Sequence, residues 1–209
     1  MPLLVSLARP AHGASTRVQL GSQEVVLEAV RGAHTLLWTN GRQAKRFVLG
    51  LGTGGHLSLQ LRAPQLPVRV VPRDLVSLVP GGRIAGYVHV SLVPTVVWHD
   101  ERGDGHVVLR LPPEDQVAEW DEVTGHMLHG ASPWYVRFPM RNGEPRAIVP
   151  LRIANRGTDV ATPPSFDLTL RDDELVAMRG SIVAPPRRLR WLEQRWETDV
   201  RAAATGGVP

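Results

Sequence analysis

His56-Leu57-Ser58-Leu59-Gln60-Leu61-Arg62 alternates apolar and polar side chains without a break. Successive side chains of a β-strand point to opposite faces. The order therefore puts Leu57, Leu59 and Leu61 on one face, and Ser58 and Gln60 on the other. This is the pattern of a half-buried strand in an antiparallel sheet. The same stretch decides how the glycine-rich run before it is read. Gly50-Leu51-Gly52-Thr53-Gly54-Gly55 has the composition of a phosphate-cradling loop. Such a loop needs a helix N-terminus behind it, because that is where N–H groups converge on the phosphate. Here a strand follows and no Gly-Lys-Ser/Thr ending is present, so the run reads as a bulged loop between strands.

On both sides of this strand, short apolar runs recur, separated by turn residues. Gly21-Ser22 divides residues 17–20 from 24–30, and Asn40-Gly41, a strong two-residue hairpin signal, divides 35–38 from 46–49. Residues 95–99 and 106–111 flank the polar loop 100–105, and Asn142-Gly143 marks a further hairpin. Strand patterns also cover residues 84–92, 134–138, 146–155, 165–170 and 174–183. The 20 glycines and 18 prolines fall between such runs, as many short strands joined by turns require. The fold class is all-β: an antiparallel β-sandwich, built as one large or two small lobes. Residues 116–132, rich in Glu, Asp and His, lack periodicity. They predict a polar connector with one helical turn, between an N-terminal sheet region over 1–115 and a C-terminal one over 133–186. Beyond Pro185-Pro186 the period changes. Leu189, Leu192, Trp196 and Val200 recur at spacings of three and four. This predicts an amphipathic C-terminal α-helix over 187–204, inside a segment 187–209 that ends in a short tail.

The chain has 209 residues, of which 43% are hydrophobic and 21% charged, enough for a core and too apolar for wholesale disorder. Its formal net charge is +4, and Lys45 is the single lysine among 24 basic residues. The arginines are scattered apart from Arg187, Arg188 and Arg190. That distribution argues against a nucleic-acid binder, which usually carries a clustered stripe. Arginine-mediated nucleic-acid or phosphate binding through the C-terminal arginines stands as an alternative. With no cysteine, disulfides, thiolate catalysis and Cys-ligated zinc are excluded, and a cytoplasmic location fits. No window approaches the ~18 uninterrupted apolar residues of a membrane-spanning helix, so the chain reads as soluble.

Two sets of residues are candidates for function. His126 and His129 lie three apart between Gly125 and Gly130, and on a helix they would approach one divalent metal. His99, Asp100 and Asp121 are conceivable further ligands, which together would make a metal-dependent or ligand-binding enzyme. The flanking glycines favour instead a solvated polar loop. His89 follows a Pro80-Gly81 turn but lacks a second histidine beside it, and Ser58, Ser77, Ser91 and Ser165 lie in or beside strand patterns without a Gly-x-Ser-x-Gly elbow. The second set is Arg187, Arg188, Leu189, Trp191, Leu192 and Trp196, whose aromatic and arginine content is that of interface anchors. Open edges on many short strands add a second means of association. The composite expectation is a non-catalytic interaction or assembly module, without a cofactor, whose partner is another protein or a second copy.

Residues 146–170 (RAIVPLRIANRGTDVATPPSFDLTL) resemble a strand pair of immunoglobulin-like sandwiches, and residues 71–90 (VPRDLVSLVPGGRIAGYVHV) look like a comparable turn-then-strand unit. The whole is similar to uncharacterised prokaryotic all-β domains. The resemblance implies a sandwich and carries over no activity and no functional residue.

Overall fold

A computed structural model describes residues 3–51, 54–111, 118–122, 125–137, 145–193 and 195–199. In chain order the first strands are β1 (Leu4–Leu7), β2 (Ser15–Leu20), β3 (Gln23–Val30), β4 (Ala33–Thr39), β5 (Ala44–Leu49), β6 (His56–Arg62), β7 (Val68–Pro72), β8 (Arg83–Ser91) and β9 (Val93–His99). There follow β10 (Gly105–Arg110), β11 (Ala118–Asp121), β12 (His126–Tyr135), β13 (Arg146–Asn155), β14 (Phe166–Leu168), β15 (Val176–Met178), β16 (Ser181–Val183), β17 (Arg187–Leu192) and β18 (Arg195–Asp199). A single 3₁₀ turn, Asp172–Glu174, interrupts them, and no α-helix occurs among the described residues. The protein is all-β. The chain divides into two compact units: residues 1–63, 91–116 and 141–145 form the first, and residues 64–90, 117–140 and 146–209 the second.

The first unit holds two four-stranded antiparallel sheets, ordered β1-β6-β9-β10 and β2-β3-β4-β5. The turn chemistry is local: Gly21 and Gly41 take positive φ at the β2–β3 and β4–β5 turns, where a side chain would be strained. Leu57, Leu59, Val96, Leu27, Leu36 and Trp38 are buried in this unit's core. The Trp38 indole N–H donates to Gln23 Oε1 at 3.0 Å, which satisfies two buried polar groups at once.

The second unit is one mixed sheet. Its order runs β14-β7-β12-β8-β13-β16-β15, with β11 paired to β12 and β17 added to β13. Pairing is parallel between β12 and β7, β13 and β16, and β13 and β17, so this unit departs from the antiparallel pattern. A bulge fixes the β8–β13 register: the Gly81 N–H donates to the Asn155 carbonyl and the Asn155 N–H to the Gly82 carbonyl, with Gly81 at φ +76. Asn155 is fully buried and locks the adjoining loops. Its Nδ2 donates to the carbonyls of Leu78 (2.8 Å) and Asp159 (2.6 Å), and its Oδ1 accepts from Gly157 N–H (2.9 Å).

Two expectations fail. The segment 187–199 is a β-hairpin, not an α-helix: β17 pairs in parallel with β13 and antiparallel with β18. Residues 200–204, the end of the expected helix, lie outside the described residues. The physical reason is an inward arginine. Arg187 and Leu189 both point into the core, at 3% and 1% exposure, while Arg188 and Arg190 point out. A charge in an inward position hides the period of two, and the leucine and tryptophan spacing then mimics a period of 3.6. Hydrogen bonds offered by β13 decide between them. The connector 116–132 likewise has no helical turn among its described residues, because Gly125, at φ +68, closes a β11–β12 hairpin.

Candidate functional site

In the first unit, β5 and β10 are the outer strands of their two sheets, and both line one groove of about 630 Å³. Its walls include Phe47, Val48 and Leu49 from one edge and Val108 and Leu109 from the other, with Trp98 beside them. The β4–β5 hairpin closes with the Asn40 N–H donating to the Gln43 carbonyl at 3.1 Å. Hydrogen-bonded pairs alternate along an antiparallel ladder, so Lys45, Phe47 and Leu49 bond back to β4. The N–H and C=O groups of Ala44, Arg46 and Val48 are then directed away from β4, and the Val48 side chain is 74% exposed. Gly55, entering β6, has no room for a Cβ against the Trp98 ring and the His99 carbonyl. This close approach, rather than phosphate binding, explains the glycine there.

The second unit carries a different surface. On β8, β13 and β17, Ile84, Ile153 and Leu189 alternate with residues on the opposite face. That outer face presents Arg83 and Ala85, Arg152 and Ala154, then Arg188 and Arg190. The bulge register sets Arg83 opposite Ala154 and Ala85 opposite Arg152, while the parallel ladder pairs Arg152 with Arg188 and Ala154 with Arg190. Ala154 is therefore the floor of a groove of about 360 Å³. Arg83 and Arg190 flank it across the sheet, and Arg152 and Arg156 along the strand. Arg83, Arg152, Arg156 and Arg188 form no ion pair with any described residue. Glu197, opposite Arg190 on β18, is held at 3.0 Å by Arg195.

The metal candidates do not converge. His99 and Asp100 belong to the first unit, whereas Asp121, His126 and His129 belong to the second. His126 and His129 stand three apart on a strand, which points them to opposite faces; His126 is exposed and His129 buried. Asp121 is ion-paired to Arg69, which also grips Asp167, and the two carboxylates raise the Arg69 pKa well above its ordinary value. No group of three or more His, Asp or Glu able to hold a metal occurs among the described residues. His99 stacks on His56 at 4.7 Å and meets the Ser58 hydroxyl at 2.9 Å, but Ser58 is 1% exposed and out of reach of a substrate. His89 is half-buried on β8, where desolvation, then Arg146, lowers its pKa.

Of the C-terminal set, Arg187 and Leu189 are core residues. Trp191 and Trp196 meet at 5.5 Å across the hairpin, the Trp196 indole donates to the Thr162 carbonyl at 3.0 Å, and Gly157 packs against Trp191. The two tryptophans and Arg187 thus anchor the hairpin to its own unit. Leu192 is half-buried and Arg188 is exposed in the arginine groove. Trp134 is buried at 2% exposure, and Trp120 is exposed beside Met127. The arginine face escaped the sequence reading, although a signal was there: Arg-Ile-Ala occurs at 83–85 and again at 152–154, with Arg-Leu-Arg at 188–190. In a strand each tripeptide puts its first and third residues on one face.

No protein-family model, curated protein or solved structure matches the chain. No helix among the described residues is long and apolar enough to cross a membrane.

Proposed function

We propose that this protein is a non-catalytic interaction module. In this reading its first unit is a two-sheet sandwich that receives an extended segment of a partner protein between β5 and β10. The observation that carries the reading is the pair of outer strands lining one apolar-walled groove. An incoming strand would satisfy the outward backbone groups of Ala44, Arg46 and Val48 by β-augmentation, and its alternate side chains would fill the space between Phe47 and Leu109. Lys45 and Arg46 are exposed at this edge, and Arg46 lines the groove. Like charges on paired strands repel, so these residues disfavour a second copy of β5 and favour a segment with acidic residues.

The test uses a fluorescein-labelled eight-residue peptide of alternating Glu and Val, with a Lys/Val peptide as control. Val48→Pro removes one outward N–H and leaves the β4 ladder intact. Losing one hydrogen bond, net worth about 1 kcal/mol, together with the steric block of the ring, predicts about fivefold or greater weakening in fluorescence anisotropy. Equal binding by Val48→Pro, or preference for the Lys/Val peptide, overturns the reading. A dimer in native mass spectrometry that Val48→Pro dissociates would make the occupant a second copy and overturn the choice of a foreign partner.

A further inference from the structure

We infer that the arginine-ringed groove of the second unit is a binding site for a small ligand carrying two or more phosphate groups in series. A β-sheet spaces neighbouring strands about 4.8 Å apart, so Arg83 and Arg190, on either side of Ala154, start roughly 10 Å apart. Along the chain, Arg152 on β13 starts two residues from Ala154, about 6.7 Å at strand rise, and Arg156, just past the end of β13, starts two residues from it on the other side. Four long side chains thus surround a methyl-sized floor, and Arg188 stands diagonally to it, beside Arg152. A single phosphate bridged by one or two guanidinium forks would leave the remaining arginines unused. A chain of two or three phosphates spans the distance and offers each fork a pair of oxygens.

Charge and shape agree with this assignment. Arg83, Arg152, Arg156 and Arg188 lie together without an ion pair to any described residue and repel one another, and an anion removes that repulsion. Arginine is suited to the task because its planar fork matches two phosphate oxygens and its charge persists at all working pH values. The small residues Ala85 and Ala154 are what make the surface concave, since a longer side chain at either position would fill the groove. The rigidity comes from below: Ile153 and Leu189, each 1% exposed, anchor the two central strands in the core, and the fully buried Asn155 fixes the end of β13. Arg83, Arg152, Arg188 and Arg190 stand on sheet positions, with Arg156 just past the end of β13, which limits how much order the arginines must gain on binding. It lies in a different unit from the strand-accepting groove, and either site can exist without the other.

The experiment is isothermal titration of the full chain with sodium tripolyphosphate, in parallel with orthophosphate and with a fluorescein-labelled oligothymidylate of eight nucleotides. We expect one tripolyphosphate per chain, binding at least tenfold tighter than orthophosphate and weakening as salt rises. Arg83→Ala and Arg152→Ala should each weaken binding about tenfold to a hundredfold, the range for a charge-assisted hydrogen bond. Arg152→Lys should fall between, since it keeps the charge and loses the fork. Arg31→Ala, on the β3–β4 turn of the first unit, should change nothing. Ala154→Glu, which fills the floor with a negative charge, gives an independent loss, and thermal melting confirms that each variant is folded. Absence of tripolyphosphate binding at 0.15 M salt overturns the proposal, as does binding unchanged in both alanine variants. Tighter binding of the oligonucleotide that persists in Ala154→Glu also overturns it, because the surface would then serve an extended nucleic-acid backbone instead.

Discussion

Removing the guanidinium of Arg187 should cost far more stability than removing both members of its ion pair. Arg187 is 3% exposed in β17, and its Nη2 donates to Glu174 Oε2 at 2.9 Å and to the Thr169 carbonyl at 3.2 Å. The Glu174 side chain is 9% exposed, and the same oxygen accepts from the Arg171 N–H at 3.0 Å. Nε and Nη1 of Arg187 are buried without a partner, so the pair is imperfectly satisfied. Arg187→Met leaves a carboxylate almost dry with one cation gone, which costs about 3–5 kcal/mol. Glu174→Met leaves the cation in the core at a similar cost. The double variant strands neither charge and removes the unmet donors Nε and Nη1, which cost roughly 1–3 kcal/mol each; this offsets the bonds lost by the Arg171 N–H and the Thr169 carbonyl, so it should lie near the parent or above it. Chemical denaturation in urea, with the m-value checked for constancy, reads all four proteins. The coupling expected across the cycle is several kcal/mol. Additive losses, with the double variant as unstable as the sum of the singles, would refute the view that an unpaired buried charge causes most of the damage.

Buried polar groups elsewhere in the second unit give two more tests. The lowered pKa of His89 means that the folded chain resists a proton that the unfolded chain takes up near 6.5. Stability should be level above that pH and decline as pH falls below it; His89→Phe should flatten this part of a urea-midpoint profile, and an unchanged slope would assign it to another group. Asn155→Ala removes three hydrogen bonds; the Leu78 carbonyl keeps the Ala161 N–H, while the Asp159 carbonyl and the Gly157 N–H lose the Asn155 side chain, and the change should cost about 3 kcal/mol, read as the urea midpoint. Asn155→Asp should be worse at neutral pH than at pH 4, because a carboxylate cannot donate to the carbonyls of Leu78 and Asp159. Equal losses at both pH values would show that donation is not what matters there.

The hairpins of the first unit were legible because their information is local. Asn40-Gly41 dictates a turn, HLSLQLR dictates a face, and the strands that Asn40-Gly41 joins are neighbours in the chain. The C-terminal segment was not legible because its fate depends on β13, which precedes it by a long stretch, and on Glu174, which makes an inward arginine tolerable. A sequence window sees Arg187 as a surface residue and cannot see the carboxylate that receives it. The histidine pair illustrates the same limit in reverse. Spacing of three gives proximity on a helix and separation on a strand, so the chemistry hinged on a secondary structure that Gly125 and the partner strand β11 determine.

The arginine face shows how a small net charge can conceal a concentrated one. A total of +4 is spread over 209 residues, yet Arg83, Arg152, Arg156 and Arg188, none of them ion-paired to a described residue, line one groove. They come from segments that no window spans, and only an antiparallel pairing of two Arg-Ile-Ala tripeptides sets each arginine against an alanine. Pairing them one residue out of step would turn one set of arginines into the core, where burying unpaired charge is prohibitive. The bulge at Gly81 therefore does two things with one distortion: it keeps the isoleucines inside, and it builds the alternating arginine and alanine surface outside. Gly81→Ala, strained at φ +76, tests that link, since a register that loosens should weaken tripolyphosphate binding and stability together.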